Sequence, residues 1–231
     1  MKLDCVITSV NNNPLYIDFI PLFITTWKKL YSNVDVIIVL IANKIPNKYL
    51  NYSKNIILFE PLNNISSVFI SQYIRLLYPC ILNYEHGILI TDIDMIPMNK
   101  TYFTTNIKKY NNNCFITFRD IKLNNEIAMC YNIATNKIWR DVFKINSIND
   151  IIERLIYKYN NIKSKDKDYI WSFDQIDLYN YIIKWKNITN NYIILKDSET
   201  KFFRLNRTEN FILTNDIINK TPKTNIKQIC S

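Results

Sequence analysis

Two aspartates one residue apart, Asp92 and Asp94 in "GILITDIDMIPMN" (87–99), follow the chain's only glycine and a short apolar run. Carboxylate oxygens are ligands for hard cations such as Mg²⁺ and Mn²⁺, which take one or two protein carboxylates and fill other positions with substrate phosphates and water. An arbitrary D-x-D is most often only the polar end of a strand, so its neighbourhood decides. Upstream, Ser67, Ser71 and Arg75 recur every four residues and form one polar stripe on a helix otherwise covered by apolar side chains. Arg75 must therefore reach water or meet an anion. Downstream, "CYNIAT" (130–135) and "FDQIDLYN" (173–180) add Asn132, Asp174 and Gln175. Each also has an ordinary reading, a strand-end cap for Asn132 and a first-turn helix acid for Asp174.

The elements that must position these groups follow from the apolar pattern. Continuous runs without alternation mark strands covered on both faces: "LDCVITSV" (3–10), "VDVIIVLIA" (34–42), "NIILFE" (55–60) and "GILIT" (87–91). Crossover helices fit between them at 15–31, kinked by Pro21, and at 64–82, bent near Pro79. This β-α-β order predicts an α/β fold with a parallel sheet flanked by helices, of the nucleotide-binding type. Such sheets bind ligands outside the carboxyl ends of their strands, which here are Thr8 to Asn12, Glu60 to Leu62, and Asp92 to Asp94. Beyond them, "CFITF" (114–118) and "IAMCYNIA" (127–134) read as strands. Residues 136–145, 147–160 and 171–186 read as amphipathic helices.

With 231 residues, 48% of them hydrophobic, the chain can bury one α/β core. The expected organisation is a single domain over 1–204 and a loosely ordered C-terminal extension over 205–231. The net charge of +9 comes from lysines scattered through loops rather than from a basic stripe, which argues against nucleic acid as a partner. A diffusely positive surface still attracts a phosphorylated small molecule. Five cysteines, odd in number and without C-x-x-C spacing, indicate buried reduced thiols and a cytoplasmic setting. No apolar run reaches membrane-spanning length, so no transmembrane anchor is expected, and no signal peptide is visible.

The run "SQYIRLLYPCILNYEHGILITDIDMIPMN" (71–99) resembles the donor-binding core of GT-A-fold glycosyltransferases, particularly glycosyltransferase family 8. There a helix ending in Tyr-x-Arg-Leu is followed at this interval by an apolar strand and D-x-D. The resemblance implies a metal-dependent transfer of a sugar from a nucleoside-diphosphate sugar, a UDP-sugar, to a glycan or other hydroxyl acceptor. It assigns Asp92 and Asp94 to Mn²⁺ (or Mg²⁺) on the donor diphosphate, with Asp92 and Ile93 also beside the donor. It sets Arg75 toward donor phosphates or sugar, Thr8, Ser9, Val10 and Asn11 toward base and ribose, and Asn132 beside the donor sugar. "FDQIDLYN" is similar to the family's "DQDxxN" stretch, which assigns Asp174 to sugar hydroxyls and Gln175 to the reacting face. Asp177 is displaced by one position through Ile176.

One element departs from that pattern. The family completes its metal site with a histidine in an H-x-x-G-x-x-K-P-W setting, and no histidine follows His86 here. Asp216 or water is the available substitute; alternatively the chain is a fragment or an offshoot of the family. The resemblance covers roughly 3–185 and favours retention of configuration, while Asp174 would be the base of an inverting enzyme. Two other classes share parts of the pattern. Haloacid-dehalogenase-like phosphohydrolases also carry a strand-end D-x-D, though theirs opens the fold, and a non-catalytic GT-A domain would bind a nucleotide sugar without turnover. A nucleotidyltransferase would need a glycine-rich phosphate loop that one glycine cannot supply.

Overall fold

The computed structural model describes residues 1–121, 125–162, 165, 167–200 and 202. The expected extension over 205–231, with Asp216 and Cys230, lies outside the described residues. In chain order the elements are β1 (Leu3–Asn11), α1 (Pro14–Ile17), α2 (Ile20–Leu30), β2 (Asp35–Ile41), β3 (Ile56–Phe59), α3 (Ser67–Leu77), β4 (Gly87–Ile90) and α4 (Tyr102–Thr105). They continue with β5 (Phe115–Thr117), β6 (Asn132–Thr135), α5 (Asn136–Phe143), α6 (Ile148–Ile162), α7 (Lys167–Lys186), β7 (Tyr192–Ile194) and α8 (Asp197–Thr200).

The four apolar runs pair as expected, β3, β2, β1 and β4 lying side by side and parallel. The other half departs from a purely parallel sheet. β6 inserts antiparallel between β4 and β5, and β7 pairs parallel with β5, giving the order β3-β2-β1-β4-β6-β5-β7. The expected strand over 127–134 is correspondingly short, because only Asn132–Thr135 pair and the residues before them form a loop.

Alternation along the strands divides the interior into two cores. Cys5, Ile7, Ile88 and Ile90 point to the layer that holds α3, α5, α6 and α7. Val6, Val10, Ile38, Leu40 and Leu89 point to the opposite layer with α2. The only glycine sits where β4 is squeezed between its neighbours: a Cβ at Gly87 would lie 2.5 Å from Ile133 Cδ1 and 2.9 Å from the Lys2 carbonyl oxygen. Any larger residue would push β4 off β1 or β6.

Two helix expectations need correction. Residues 15–31 form two helices with a break at Asp18 and Phe19, and Pro21 sits in the first turn of α2, where its missing N–H costs nothing. The helix expected over 64–82 is shorter. It ends at Leu77 and tightens into a 3₁₀ turn over Tyr78–Cys80, because Pro79 cannot donate to the Arg75 carbonyl. Cys5, Cys80, Cys114 and Cys130 are free buried thiols, as expected. No helix among the described residues is long and apolar enough to cross a membrane.

Candidate active site

The carboxyl ends of β1 and β4 are stitched to α3, and that stitching builds the site. The Ser9 hydroxyl donates to the Ser71 carbonyl, and Asn11 Nδ2 donates to Ser67 Oγ at 3.1 Å. The polar stripe of α3 thus faces the strand ends. Asp92 has the same parity as Ile88 and Ile90, so its side chain turns toward α3 as theirs do. The next residues form a tight turn in which Met95 N–H donates to the Asp92 carbonyl at 3.2 Å, and Asp94 sits within that turn.

Arg75 meets anions, and they belong to the protein. Its Nη1 donates to Asp92 Oδ1, its Nη2 to Asp174 Oδ2 at 2.8 Å, and its Nε to the Gln72 carbonyl at 3.1 Å. The side chain is only 10% exposed and Asp174 only 5%. Burial alone would lower the Arg75 pKa; Asp92 and Asp174 more than reverse that, and the guanidinium stays charged. For Asp174, burial pushes the carboxyl above the usual carboxylate range, and Arg75 opposes that shift without fully offsetting it. Asp174 Oδ1 also accepts from the Gln175 backbone N–H at 2.9 Å.

These groups line one cleft of about 390 Å³. Ser9, Val10, Asn11, Arg75, Asp92, Ile93, Asp94, Asp174 and Gln175 are all on its wall, so nine of the sequence-derived site residues converge. Thr8 and Asn132 do not line it. Thr8 lies inside β1, short of its carboxyl end, and is fully buried, its hydroxyl without a hydrogen-bond partner among the described residues. Asn132 is also fully buried. Its Nδ2 donates to the Ala128 and Met129 carbonyls at 2.8 and 3.1 Å, and its Oδ1 accepts from Thr117 Oγ1 at 2.8 Å. It thereby holds the loop over 128–130 that forms one wall of the cleft. Asp177 lies off the cleft too, accepting from the Tyr73 hydroxyl and from Lys158 Nζ at 2.7 Å.

Tyr16, Gln72, Ile121 and Trp171 also line the cleft and were not singled out in the sequence. For Trp171 a signal existed, since it precedes Asp174 by three residues on one helix and shares its face. His86 is far from the site, at the amino end of β4, with Nδ1 2.9 Å from Asp4 Oδ2. Among the described residues no group of three or more His, Cys, Asp or Glu side chains is arranged to hold a metal. Asp92 and Asp94 present carboxylate oxygens, the ligand type that hard cations take. Arg75 is the only cationic side chain among the described residues lining the cleft, against the carboxyl groups of Asp92, Asp94 and Asp174.

The sheet order and flanking helices, with a cleft at the carboxyl ends of β1 and β4, are those of the GT-A fold. Among solved structures, the glycosyltransferase GlyE of Streptococcus pneumoniae TIGR4 aligns at 17% identity and a TM-score of 0.52, over 87% of this chain and 47% of GlyE. An active-site mutant of LgtC aligns at 12% identity and a TM-score of 0.50, over 93% of this chain and 81% of that one. The chain spans about half the length of the GlyE structure. No family model matches the chain, and no curated protein does. The shared property is the fold; it also separates the chain from haloacid-dehalogenase phosphohydrolases, because the two aspartates follow the fourth strand and not the first.

Proposed function

We propose that this chain is a nucleotide-sugar glycosyltransferase that binds a nucleoside diphosphate sugar, UDP-linked, with a divalent cation at Asp92 and Asp94. The observation that carries this reading is the charge of the cleft. Among the described residues lining it, three carboxyl groups stand against a single guanidinium that two of them already engage. A bare diphosphate would be repelled there; a divalent cation bound by Asp92 and Asp94 reverses the sign and supplies electrostatic stabilisation of the departing diphosphate.

The chain's own residues then have distinct tasks. Arg75 holds Asp92 and Asp174 in one arrangement, so the charge around the reacting bond is prearranged. Ser9, Val10, Asn11 and Tyr16 line the β1 end, which suits the nucleoside. Gln175 and the 128–130 wall lie on the β6 side, which suits the transferred sugar. Both Asp174 oxygens are engaged, by Arg75 and by the Gln175 N–H. That favours a transfer in which the bond from anomeric carbon to diphosphate breaks, the acceptor oxygen bonds to that carbon on the face the diphosphate leaves, and the acceptor proton leaves on the diphosphate. Configuration is then retained.

The test is thermal stability with UDP, with and without Mn²⁺, in the parent chain and in Asp94→Ala. UDP with Mn²⁺ is expected to raise the melting temperature by several degrees, neither alone doing so fully, and Asp94→Ala to lose that shift while its own unliganded melting temperature stays within about 2 °C of the parent. An equal shift in Asp94→Ala would overturn the metal assignment. Slow Mn²⁺-dependent hydrolysis of a UDP-sugar by the parent separates an enzyme from a domain that only binds.

A further inference from the structure

The cleft has an apolar lip that the binding of a nucleoside diphosphate leaves unexplained. Trp171 is 62% exposed there, whereas Trp27, Trp139 and Trp185 are 0%, 0% and 7% exposed. Val68 and Ile121, also lining the cleft, are 46% and 39% exposed. An exposed indole in a cleft whose wall carries other uncovered apolar groups offers a flat apolar surface for a ligand to cover.

Resting on the glycosyltransferase reading, we propose that Trp171 is the stacking platform for a sugar ring of a neutral glycan acceptor. Position is the first argument. On that reading the nucleoside lies at the β1 end of the cleft and the diphosphate at β4, and the strand order β1-β4-β6 leaves the β6 side for the transferred sugar and whatever receives it. Trp171 lines the same cleft, three and four residues before Asp174 and Gln175 on α7, and the Gln175 carbonyl accepts from the Ile127 N–H in the loop that leads into β6. Chemistry is the second. A pyranose has an apolar C–H face, which an indole covers, and a hydroxyl edge, which the Gln175 side chain can bind. Charge is the third. Among the described residues lining the cleft, three carboxyl groups face one cation, Arg75, which two of them already engage, and that acidic lining disfavours an anionic acceptor.

Acrylamide quenching of tryptophan fluorescence in the full chain reads Trp171 selectively, since the other three indoles are buried. With UDP and Mn²⁺ present, neutral methyl glycosides and disaccharide glycosides are titrated as probes. At least one is expected to protect the quenchable fraction. Trp171→Ala should weaken that glycoside's binding, measured by calorimetry, about tenfold, and Trp171→Phe less than threefold, with the UDP and Mn²⁺ thermal shift kept in both. If no neutral glycoside protects the indole, or Trp171→Ala binds the glycoside as the parent does, the platform assignment is wrong while the donor reading stands. If UDP with Mn²⁺ alone protects it, Trp171 belongs to the donor and the proposal also fails. Absence of any UDP and Mn²⁺ shift in the parent would instead sink the donor reading.

Discussion

Arg75 shows how a single side chain organises the site. Its guanidinium reaches a carbonyl 3 residues back and carboxylates 17 and 99 residues on, so it fastens helix, strand end and α7 at once. A lysine has no fork to do this. Arg75→Met would leave Asp174 buried without its cation, and the expected cost is about 3–5 kcal/mol, read as a lower urea midpoint with an unchanged slope. Adding Asp174→Asn removes the stranded charge and should recover more than half of that loss; no recovery would show that the pair does not govern stability here. The sequence left Arg75 either to reach water or to meet an anion. Which anion was decided by contacts across 99 residues, which no local pattern records.

At the scale of elements, α3, α6 and α7 are knotted by a second buried pair. Asp177 of α7 accepts from Lys158 of α6 and Tyr73 of α3, and burial together with the nearby Asp177 raises the Tyr73 pKa well above its ordinary value. Aromatic contacts of Phe173 with Phe69 and Tyr73 close the same junction. Asp174 and Asp177 are one turn apart in a stretch that resembles a catalytic motif, yet one faces the cleft and the other this knot. Asp177→Asn is therefore expected to destabilise the chain by about 3 kcal/mol while UDP and Mn²⁺ affinity stays within twofold below the melting temperature. A large affinity loss without destabilisation would place Asp177 in the site instead. The alignment of "FDQIDLYN" set Asp174 on the motif and Asp177 one position off it, but not where Asp177 points, because helix phase relative to α3 and α6 depends on how the three helices pack.

Over the whole molecule, the sequence carries a net charge of +9, while the described residues lining the cleft include three acidic side chains and one arginine. The net positive charge should speed the approach of a nucleoside diphosphate, and the bound cation should hold it. Stopped-flow association with a fluorescent UDP analogue, at fixed Mn²⁺, is expected to slow about fivefold between about 0.01 and 0.5 M salt; a salt-independent rate would show that the scattered lysines do not steer. What the sequence determined by itself was the set of local, repetitive features: apolar runs that become β1 to β4, their parallel pairing, and a pair of aspartates at the end of β4. Those are legible because burial on both faces and strand length leave a signature within a few residues. Only the tertiary structure decided that β6 runs antiparallel beside β4, that Thr8 and Asn132 turn away from the cleft, and that Trp171 stands exposed at its lip. Each of these depends on pairing and packing between segments tens of residues apart, where strand register and helix phase choose which face a side chain occupies.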